Sequence, residues 1–353
     1  MPYHPRFTIT PTILSSVGKI DAAREVITHA PLVPAWERRF QSDARVRTIH
    51  HGTHLEGNNL NLDEVERVLE GNREVTGRDR DIQEVINYRS VMDYIDSLAA
   101  KFKDTPFALT ESMLKEVHRL TVHKLLDEKE AGQYRAVKVV IRNTVTGEIT
   151  FRPPSPIEVP LSIADLFSWV NAVGAGGHPL LKAGLLHYEL VRIHPFTDGN
   201  GRSARAMALL LLVLEGYQVK KFFSLEDYYD SSPGDYYTSL QSAEGGDLTT
   251  WLEYFTLGIA IEFDRVKELV RKLSLDLHLK STLGGRQIAL SDRQIRLVEY
   301  LERHGTLSMG EGRDLLSDVS EDTILRDLRD LVEKKLILKK GSTKGTKYML
   351  ASK

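Results

Sequence analysis

The chain of 353 residues contains no cysteine. Disulfide bonds and thiolate metal sites are therefore excluded, and this absence fits a reducing compartment. A hydrophobic fraction of 41% with 27% charged residues is ordinary for a folded protein. The length suffices for two or three domains with a sizeable core.

The sequence also lacks a long apolar run and a strong charge of one sign. Its longest apolar run lies within Ala206–Leu214 and is too short to cross a bilayer. The N-terminus "MPYHPRFTIT" lacks the apolar core of a signal peptide. The net charge of −2 excludes a polycation, so any nucleic-acid contact needs a local patch. We therefore predict a cytoplasmic protein without a membrane partner.

Apolar residues at three-to-four spacing predict a mainly α fold over the first 280 residues. Residues 1–35 are expected to be irregular apart from a short helix around Asp21–Thr28. Further helices are predicted at about 36–55, in "NLDEVERVLEG", at 80–102, 109–126, 161–173, 180–193 and 206–214, in "DYYTSLQSAE", and at 248–279. The exception is "RAVKVVIRNTVTGEITFRPP", whose alternation and "TVTGE" turn predict a β-hairpin.

The C-terminal part follows a linker, "STLGGRQIALS". Three short helices are predicted, followed by two strands, "LILKKG" and "TKYML"; the helices span Asp292–His304, Ser308–Leu316 and Ser320–Lys335. This order is typical of a winged helix-turn-helix domain. We predict a helical region at 1–110, a catalytic core at 111–280 and a winged helix at 281–353.

The stretch "HPFTDGNGRSAR" is the most specific feature of the sequence. Pro195 disfavours helix at His194, so one helix should end there and another should begin after the turn. Free N–H groups and the positive dipole end at the start of that helix make a phosphate site. Arg202 and Arg205 lie on one face of it, so both guanidinium groups can reach the same oligophosphate.

Two further residues of this stretch supply reactive groups. Asp198 is a natural Mg²⁺ ligand at the mouth of the cationic nest. His194 can accept a proton near neutral pH. Together with the phosphate site, these groups indicate an enzyme that transfers a phosphorus group to a hydroxyl. The alternative is a helix corner whose Asp and Arg residues pair with each other, but nine ordered positions favour the chemical interpretation.

The same stretch resembles the HPFxDGNGRxxR signature of Fic-domain proteins. Every fixed position is filled, by His194, Pro195, Phe196, Asp198, Gly199, Asn200, Gly201, Arg202 and Arg205. The resemblance extends over about residues 40–260 and implies a Fic helical core with a β-hairpin flap. Fic enzymes transfer AMP from ATP to a Ser, Thr or Tyr hydroxyl of a protein, so ATP, Mg²⁺ and a hydroxyl-bearing target protein are implied.

The resemblance also implies a role for each motif residue. His194 would act as the base on the hydroxyl, and Asp198 would bind Mg²⁺. The implied phosphate contacts come from Gly199, Asn200 and Gly201 around the anion and from Arg202 and Arg205 on the outer phosphates. The Doc branch of the family phosphorylates instead, but it departs from the GNG core that this chain keeps. AMP transfer is therefore favoured.

The resemblance assigns two further segments. The hairpin resembles the family's flap, where Val140, Ile141 and Arg142 would hold an extended target segment as an added strand. The alternative is a hairpin that only closes the core. Tyr236 and Tyr237 would lie on the adenine side, although paired tyrosines are also common packing residues.

The helix at about 36–56 ends with Glu56, where a negative charge opposes the helix dipole. Many Fic proteins carry [S/T]xxxE[G/N] on an inhibitory helix, whose Glu pairs with the second motif arginine, here Arg205. Glu56 and Gly57 match the acidic half, whereas Gly52 replaces the hydroxyl residue. We therefore expect Glu56→Gly to raise AMP transfer and self-modification. A glutamate so placed could also activate water to remove AMP from a target.

The predicted winged helix leaves its partner open. Residues 334–353 hold seven Lys and no acid, which suits contact with DNA phosphates. Glu321 and Asp322 at the start of the recognition helix oppose such contact. The winged fold also serves as a docking or dimerisation module, so a homodimer is an alternative use. The competing hypothesis for the whole protein is a DNA-binding regulator whose Fic pocket senses nucleotide without turnover.

Overall fold

Helices account for most of the regular structure in the described part of the chain. The computed structural model describes residues 3–30, 32, 34–71, 75, 77–142, 149–172, 177–217, 221–282, 290–317, 319–341 and 346–351. The helices are α1 (Pro11–His29), α2 (Pro34–His54), α3 (Leu62–Leu69), α4 (Asp79–Lys101), α5 (Glu111–Thr121), α6 (Val159–Ala172), α7 (Pro179–Ile193), α8 (Asn200–Leu214), α9 (Leu225–Ser231), α10 (Pro233–Ser242), α11 (Thr249–Thr282), α12 (Asp292–His304), α13 (Met309–Leu315) and α14 (Glu321–Glu333). The strands are β1 (Ile141–Arg142), β2 (Ile149–Phe151), β3 (Leu307–Ser308), β4 (Ile337–Lys340) and β5 (Lys347–Leu350). The mainly α prediction is confirmed.

The N-terminal region is more regular than predicted, because α1 begins ten residues before the expected short helix. Thr10 supplies the start signal: its Oγ1 accepts from the backbone N of Ile13 at 3.3 Å. Pro11 occupies the first helical position, where a missing N–H costs nothing. The expectation of an irregular segment here was wrong, since only four apolar residues, Ile13, Ile20, Ala23 and Ile27, are buried along the nineteen residues of α1.

The predicted ends of the next two helices are present. Gly57 and Gly71 follow α2 and α3 with positive φ of 90° and 85°, the left-handed conformation expected of a helix-ending glycine. At the start of α3, Asn61 and Glu64 form a capping box: each side chain accepts from the backbone N of the other residue.

The chain separates into two compact units. One comprises Met1–His29 with Gln41–Glu268, and the other Ala30–Phe40 with Leu269–Lys353. The division of the chain at residues 110 and 280 stays a prediction. Much of the predicted linker, residues 283–289, lies outside the described residues.

The antiparallel pair α7 and α8 forms the centre of the first unit, and nearly every side chain of these helices is buried. Helix α11 lies close to α7 because Gly184 has no side chain; a Cβ there would lie 2.9 Å from both Leu252 and Phe255. Trp251 Nε1 donates to Gly184 O at 2.8 Å across the same contact. The loop joining α7 to α8 is thereby held on a rigid base.

The predicted hairpin is present as the short antiparallel pair β1–β2. Ile141 pairs with Phe151 and Arg142 with Ile149, with a register irregularity between the two pairs. The predicted turn, residues 144–148, lies outside the described residues.

The second unit has its own core around α12, α13 and α14. Strands β3, β5 and β4 form an antiparallel sheet in that order. The core is made of Leu297, Val298, Leu301, Leu307, Leu316, Ile324, Leu328, Leu331, Leu336, Ile337 and Tyr348. The three helices and the strand pair match the predicted winged-helix order. Strand β3, only two residues long, was missed because so short a strand has no periodicity to detect.

Among the described residues, no helix combines the length and the apolar character that crossing a bilayer requires.

Candidate active site

The motif loop joins α7 to α8, as predicted. α7 ends at Ile193, and His194 follows in a left-handed conformation with φ 49° and ψ 61°. Gly199, at the N-cap of α8, has φ 73°. A Cβ on Gly199 would lie 2.9 Å from Val122 Cγ1, so both conformation and space favour glycine there.

The His194 imidazole has a defined orientation and protonation state. Its Nδ1 lies 3.3 Å from the carbonyl O of Val191. Because a carbonyl can only accept, this contact places the proton on Nδ1 and leaves a lone pair on Nε2. Burial lowers the pKa of His194 below its ordinary value, so the neutral form predominates at neutral pH.

Asn200 holds the loop in shape. Its Oδ1 accepts from the backbone N of Phe196 and its Nδ2 donates to Phe196 O, both at 2.9 Å. The side chain is thus committed to the loop, and Asn200 can contribute to the predicted anion nest only through its backbone N–H. Gly199 and Gly201 likewise offer only backbone groups there.

Asp198 is ionised and partly exposed, with 41% of its side chain accessible. Its Oδ1 accepts from Gly199 N at 2.6 Å, and its Oδ2 accepts from Arg80 Nη2 at 3.1 Å. Burial alone would raise the pKa of Asp198, but Arg202, the Gly199 N–H and Arg80 together hold it below its ordinary value. A charged, accessible carboxylate beside a phosphate site fits the predicted Mg²⁺ ligand.

Arg202 is buried and only partly satisfied. Its Nη1 lies 3.3 Å from Glu84 Oε1, and its Nη2 lies 3.8 Å from Asp198 Oδ1. Among the described residues, Nε and Nη1 of Arg202 and Nε of Arg205 have no hydrogen-bond partner. Buried guanidinium donors without acceptors are unfavourable, which fits a site that receives an anion.

The predicted pairing of Glu56 with Arg205 is present. Arg205 Nη2 donates to Glu56 Oε1 at 2.9 Å and to Gly52 O at 2.9 Å. A Cβ on Gly201 would lie 2.3 Å from Glu56 Oε1, so the carboxylate occupies the space beside the first turn of α8. That space coincides with the predicted phosphate site. Thr53 takes no part, since its Oγ1 donates to Ile49 O within α2.

The two tyrosines, Tyr236 and Tyr237, differ in their exposure to solvent. Tyr237 is 45% exposed, and its OH donates to Leu55 O at 3.4 Å, next to Glu56. Burial raises its pKa to about 12. Tyr236 is buried, and its OH lies 2.9 Å from His187 Nε2. Tyr237 is therefore the accessible residue of the pair and Tyr236 packs behind it, while the adenine-side role of both stays a prediction.

Two of the predicted flap residues, Ile141 and Arg142, form strand β1, and Val140 directly precedes it. Val140 is 39% exposed, as an edge meant to receive a partner strand requires. Arg135, which no sequence pattern indicated, connects the two ends of the hairpin segment to the motif. Arg135 Nε donates to His194 O at 2.8 Å and its Nη2 donates to Pro154 O at 2.6 Å.

A second missed residue, His118 on α5, supports the motif loop. Its ring stacks on Phe196 with centroids 3.7 Å apart. Gly132 N donates to His118 Nδ1 at 2.9 Å, so Nε2 carries the proton and donates to Asp198 O at 3.0 Å. Burial lowers its pKa to about 4, and the neutral ring is maintained. No local pattern around either residue indicates these long-range contacts.

In the second unit, the acidic start of α14 is paired within the domain. Arg313 Nη1 lies 3.4 Å from Glu321 Oε2. Three lysines near the C-terminus are exposed: Lys335 after α14, and Lys339 and Lys340 on β4. The basic wing expected for contact with phosphates is thus at the surface, while DNA binding stays a prediction.

The start of α8 thus brings together the buried guanidinium groups of Arg202 and Arg205, a neutral His194 and an ionised, accessible Asp198. Residues 108–212 match the Fic/DOC family, and residues 293–341 match the DeoR-like helix-turn-helix domain. These matches confirm the predicted resemblance to Fic proteins and the predicted fold class, a mainly α chain with a C-terminal winged helix.

Similar proteins agree with this assignment. The protein adenylyltransferase Fic of Culex quinquefasciatus is 27% identical over 238 residues, which cover 67% of this chain and 44% of that protein. The chain therefore spans less than half the length of this curated relative. A Fic family protein from Desulfovibrio desulfuricans G20 superposes with a TM-score of 0.67 at 27% identity, covering 99% of each chain. Fic-1 (residues 134–508) from C. elegans gives a TM-score of 0.61 at 26% identity, covering 74% of this chain and 73% of that one.

Proposed function

We propose that the protein transfers AMP from ATP to a Ser, Thr or Tyr hydroxyl of a target protein. The hydroxyl oxygen attacks the α-phosphorus, a new P–O bond forms, and the bond to the β-phosphate oxygen breaks, so that pyrophosphate leaves. The hydroxyl proton passes to Nε2 of His194. The observation that carries this proposal is the complete motif, with the lone pair of a neutral His194 beside an anion site.

The phosphates would be held by the start of α8. Backbone N–H groups of Gly199, Asn200 and Gly201 and the positive helix end attract anions. Arg202 and Arg205 add charge on the same helix. Mg²⁺ held by Asp198 would neutralise the phosphate charge when bound.

The Glu56 carboxylate would restrain this reaction from within the chain. It pairs with Arg205 and occupies the space beside Gly201, where a phosphate group would otherwise lie. Displacing it frees one guanidinium and removes a negative charge from the anion site. The same carboxylate, close to the α8 start, is the group that could activate water for AMP removal as a secondary activity.

Target docking would use the flap. An extended segment of the target would add to β1 and the preceding Val140, which is 39% exposed, by main-chain hydrogen bonds. Arg135 ties the flap roots to the carbonyl of His194, so a strand bound there would lie at a fixed position relative to the base.

The test is incubation of the full chain with ATP labelled at the α- or the γ-phosphate. We expect α-label on protein, lowered at least about 100-fold in His194→Ala, because a general base contributes that much. In Glu56→Gly the label should rise about tenfold, as expected for removing a coupling of roughly 1.4 kcal/mol. Label from the γ-phosphate would instead indicate phosphorylation.

The chain provides a matched control for the glutamate. Glu70 stands in a second Leu-Glu-Gly tripeptide at the end of α3, and it is exposed. Glu70→Gly changes the same residue in the same local setting without touching Arg205, so its labelling should equal that of the unaltered chain. Equal labelling of Glu56→Gly and Glu70→Gly would contradict self-inhibition by Glu56.

A non-catalytic DNA-binding regulator is the second candidate, favoured by the DeoR-like domain with its exposed lysines. It predicts salt-sensitive DNA binding and no covalent label in any variant. The neutral His194 and the ionised Asp198 favour catalysis, since nucleotide sensing requires neither group.

A further inference from the structure

Three histidines outside the motif, His50, His51 and His54, cluster on the last two turns of α2. His50, His51 and Asp230 each offer one ligand atom, and these atoms all lie within 4.8 Å of one another. Asp230 comes from α9, so the cluster joins two helices. Its carboxylate is 6% exposed, and His51 Nδ1 lies 2.7 Å from Asp230 Oδ2.

A further donor, His54, meets this group at the Asp230 carboxylate. His54 Nδ1 lies 2.8 Å from Asp230 Oδ1. The rings of His50 and His54 stack 5.5 Å apart at 13°, as expected for residues four apart on one helix face. Paired histidines at this spacing are a recurrent metal-binding arrangement on helices.

One atom of the cluster lacks any partner. Nδ1 of His50 is buried and has no hydrogen bond among the described residues. Hydrogen bonds to Asp230 satisfy His51 and His54 without a metal ion. They do not satisfy Nδ1 of His50. A buried imidazole nitrogen without a donor is costly unless it binds a ligand that accepts its lone pair.

We propose that His50, His51, His54 and Asp230 bind a divalent transition metal ion of the Zn²⁺ class. Three imidazoles and one carboxylate are a donor set that suits Zn²⁺ and disfavours Mg²⁺, which takes oxygen ligands. At metal–ligand distances of about 2.0–2.2 Å, tetrahedral ligand atoms lie about 3.3–3.6 Å apart. Binding would therefore replace the shorter hydrogen bonds to Asp230 and draw the more distant ligand atoms, now within 4.8 Å, closer together.

The bound ion would fasten the end of α2 to α9. These helices are already joined by Arg47 Nη1, which lies 2.7 Å from Asp227 Oδ2. Glu56 follows His54 by two residues, so the ion would fix the backbone that presents this carboxylate to Arg205. This regulatory consequence rests on the proposed function, whereas the metal site does not.

The binding test uses the full chain purified without a histidine tag. Co²⁺ serves as the spectroscopic probe, and a tetrahedral site should give visible absorption that Zn²⁺ abolishes by displacement. Zn²⁺ at about 100 times its Kd should raise the Tm by roughly 5 °C. In His51→Ala and in Asp230→Asn the affinity should fall at least about tenfold.

Two controls locate the ion. His29→Ala removes a mostly exposed histidine elsewhere and should leave Co²⁺ absorption unchanged. Asp198→Asn removes the predicted Mg²⁺ ligand and should also leave it unchanged. Absorption lost in Asp198→Asn but kept in Asp230→Asn would overturn the proposal, as would the absence of any Co²⁺ band, which would show a hydrogen-bonded cluster only.

The regulatory consequence has a separate readout. With Zn²⁺ present, α-label on the unaltered chain should fall, while label on His54→Ala should change much less. Equal loss in both chains would contradict regulation through this site, although the Co²⁺ spectrum would still establish binding. Absence of label in every chain would instead contradict the proposed function.

Discussion

Gly52 shows how one residue can replace a missing hydroxyl contact. Many Fic proteins carry Ser or Thr at this position, four residues before the glutamate. Here the space is filled by the ring of Tyr88, and the carbonyl O of Gly52 itself accepts from Arg205 at 2.9 Å. The main chain thus takes over part of the positioning of Arg205, and the glycine follows from the bulk of its neighbour.

Gly52→Ala tests this packing. A Cβ at position 52 would lie 2.6 Å from Tyr88 Cε1, and because that ring is buried the clash should lower the free energy of unfolding by about 1–3 kcal/mol. Gly18→Ala is the matched control, since Gly18 lies inside α1 with no atom within 4 Å of its Cβ position. That change should stabilise the chain by about 0.5–1 kcal/mol. Urea denaturation followed by circular dichroism measures both, and a stable Gly52→Ala would refute the packing argument.

At the scale of elements, the α7–α8 loop depends on two segments that are distant in sequence. His118 on α5 donates to Asp198 O and stacks on Phe196, while Arg135 donates to His194 O. The loop therefore keeps its shape through contacts with residues that lie about sixty to eighty positions before the motif in the sequence. A substitution in α5 should consequently be felt at the motif without touching any motif residue.

The stability of this support should depend on pH. Burial lowers the pKa of His118 to about 4 in the folded chain, below the ordinary value of about 6.5 in the unfolded chain. As pH falls below about 6.5, His118 binds a proton in the unfolded chain before it does so in the folded chain. The contribution of His118 to the free energy of unfolding is therefore fully present above that pH and is lost toward pH 4. Between pH 7 and 5 the loss from this residue should be about 2 kcal/mol.

His118→Phe isolates this contribution, because phenylalanine keeps the stack on Phe196 but cannot titrate. The free energy of unfolding is measured by urea denaturation at pH 7 and pH 5 for both chains. The variant is less stable at pH 7, since Gly132 N and Asp198 O lose their partner. Its decrease on going to pH 5 should be smaller than that of the unaltered chain, and identical decreases would rule out the proton-linked role of His118.

Local signals decided which elements could be predicted. The Asn61 cap and the glycines after α2 and α3 act within a few residues, and Pro195 stops α7 at once, so these boundaries followed from the sequence. The motif residues were found because they are contiguous. His118 and Arg135 were missed because their partners lie far along the chain, and α9 was missed because seven residues carry too little periodicity.

At the scale of the whole molecule, the two units have separate cores. Among the described residues, the core around α12, α13 and α14 is made of buried side chains between Leu297 and Tyr348. These helices and their sheet all lie within residues 290–351, although the second unit also includes Ala30–Phe40 and the chain from Leu269. We therefore expect the segment 286–353 to fold when expressed alone. A domain of this size buries little surface, so each large core side chain carries a substantial share of its stability.

Two leucines of that segment provide a paired test. Leu328 on α14 is fully buried, whereas Leu338 on β4 is 49% exposed. Leu328→Ala should lower the free energy of unfolding by about 3 kcal/mol through lost burial and a cavity, with a Tm decrease of roughly 15 °C in a domain this small. Leu338→Ala should stay within about 0.5 kcal/mol. Thermal unfolding of the isolated segment, followed by circular dichroism, measures both effects. Similar effects of the two substitutions would show that this core does not fold by itself, as would a segment without a cooperative transition.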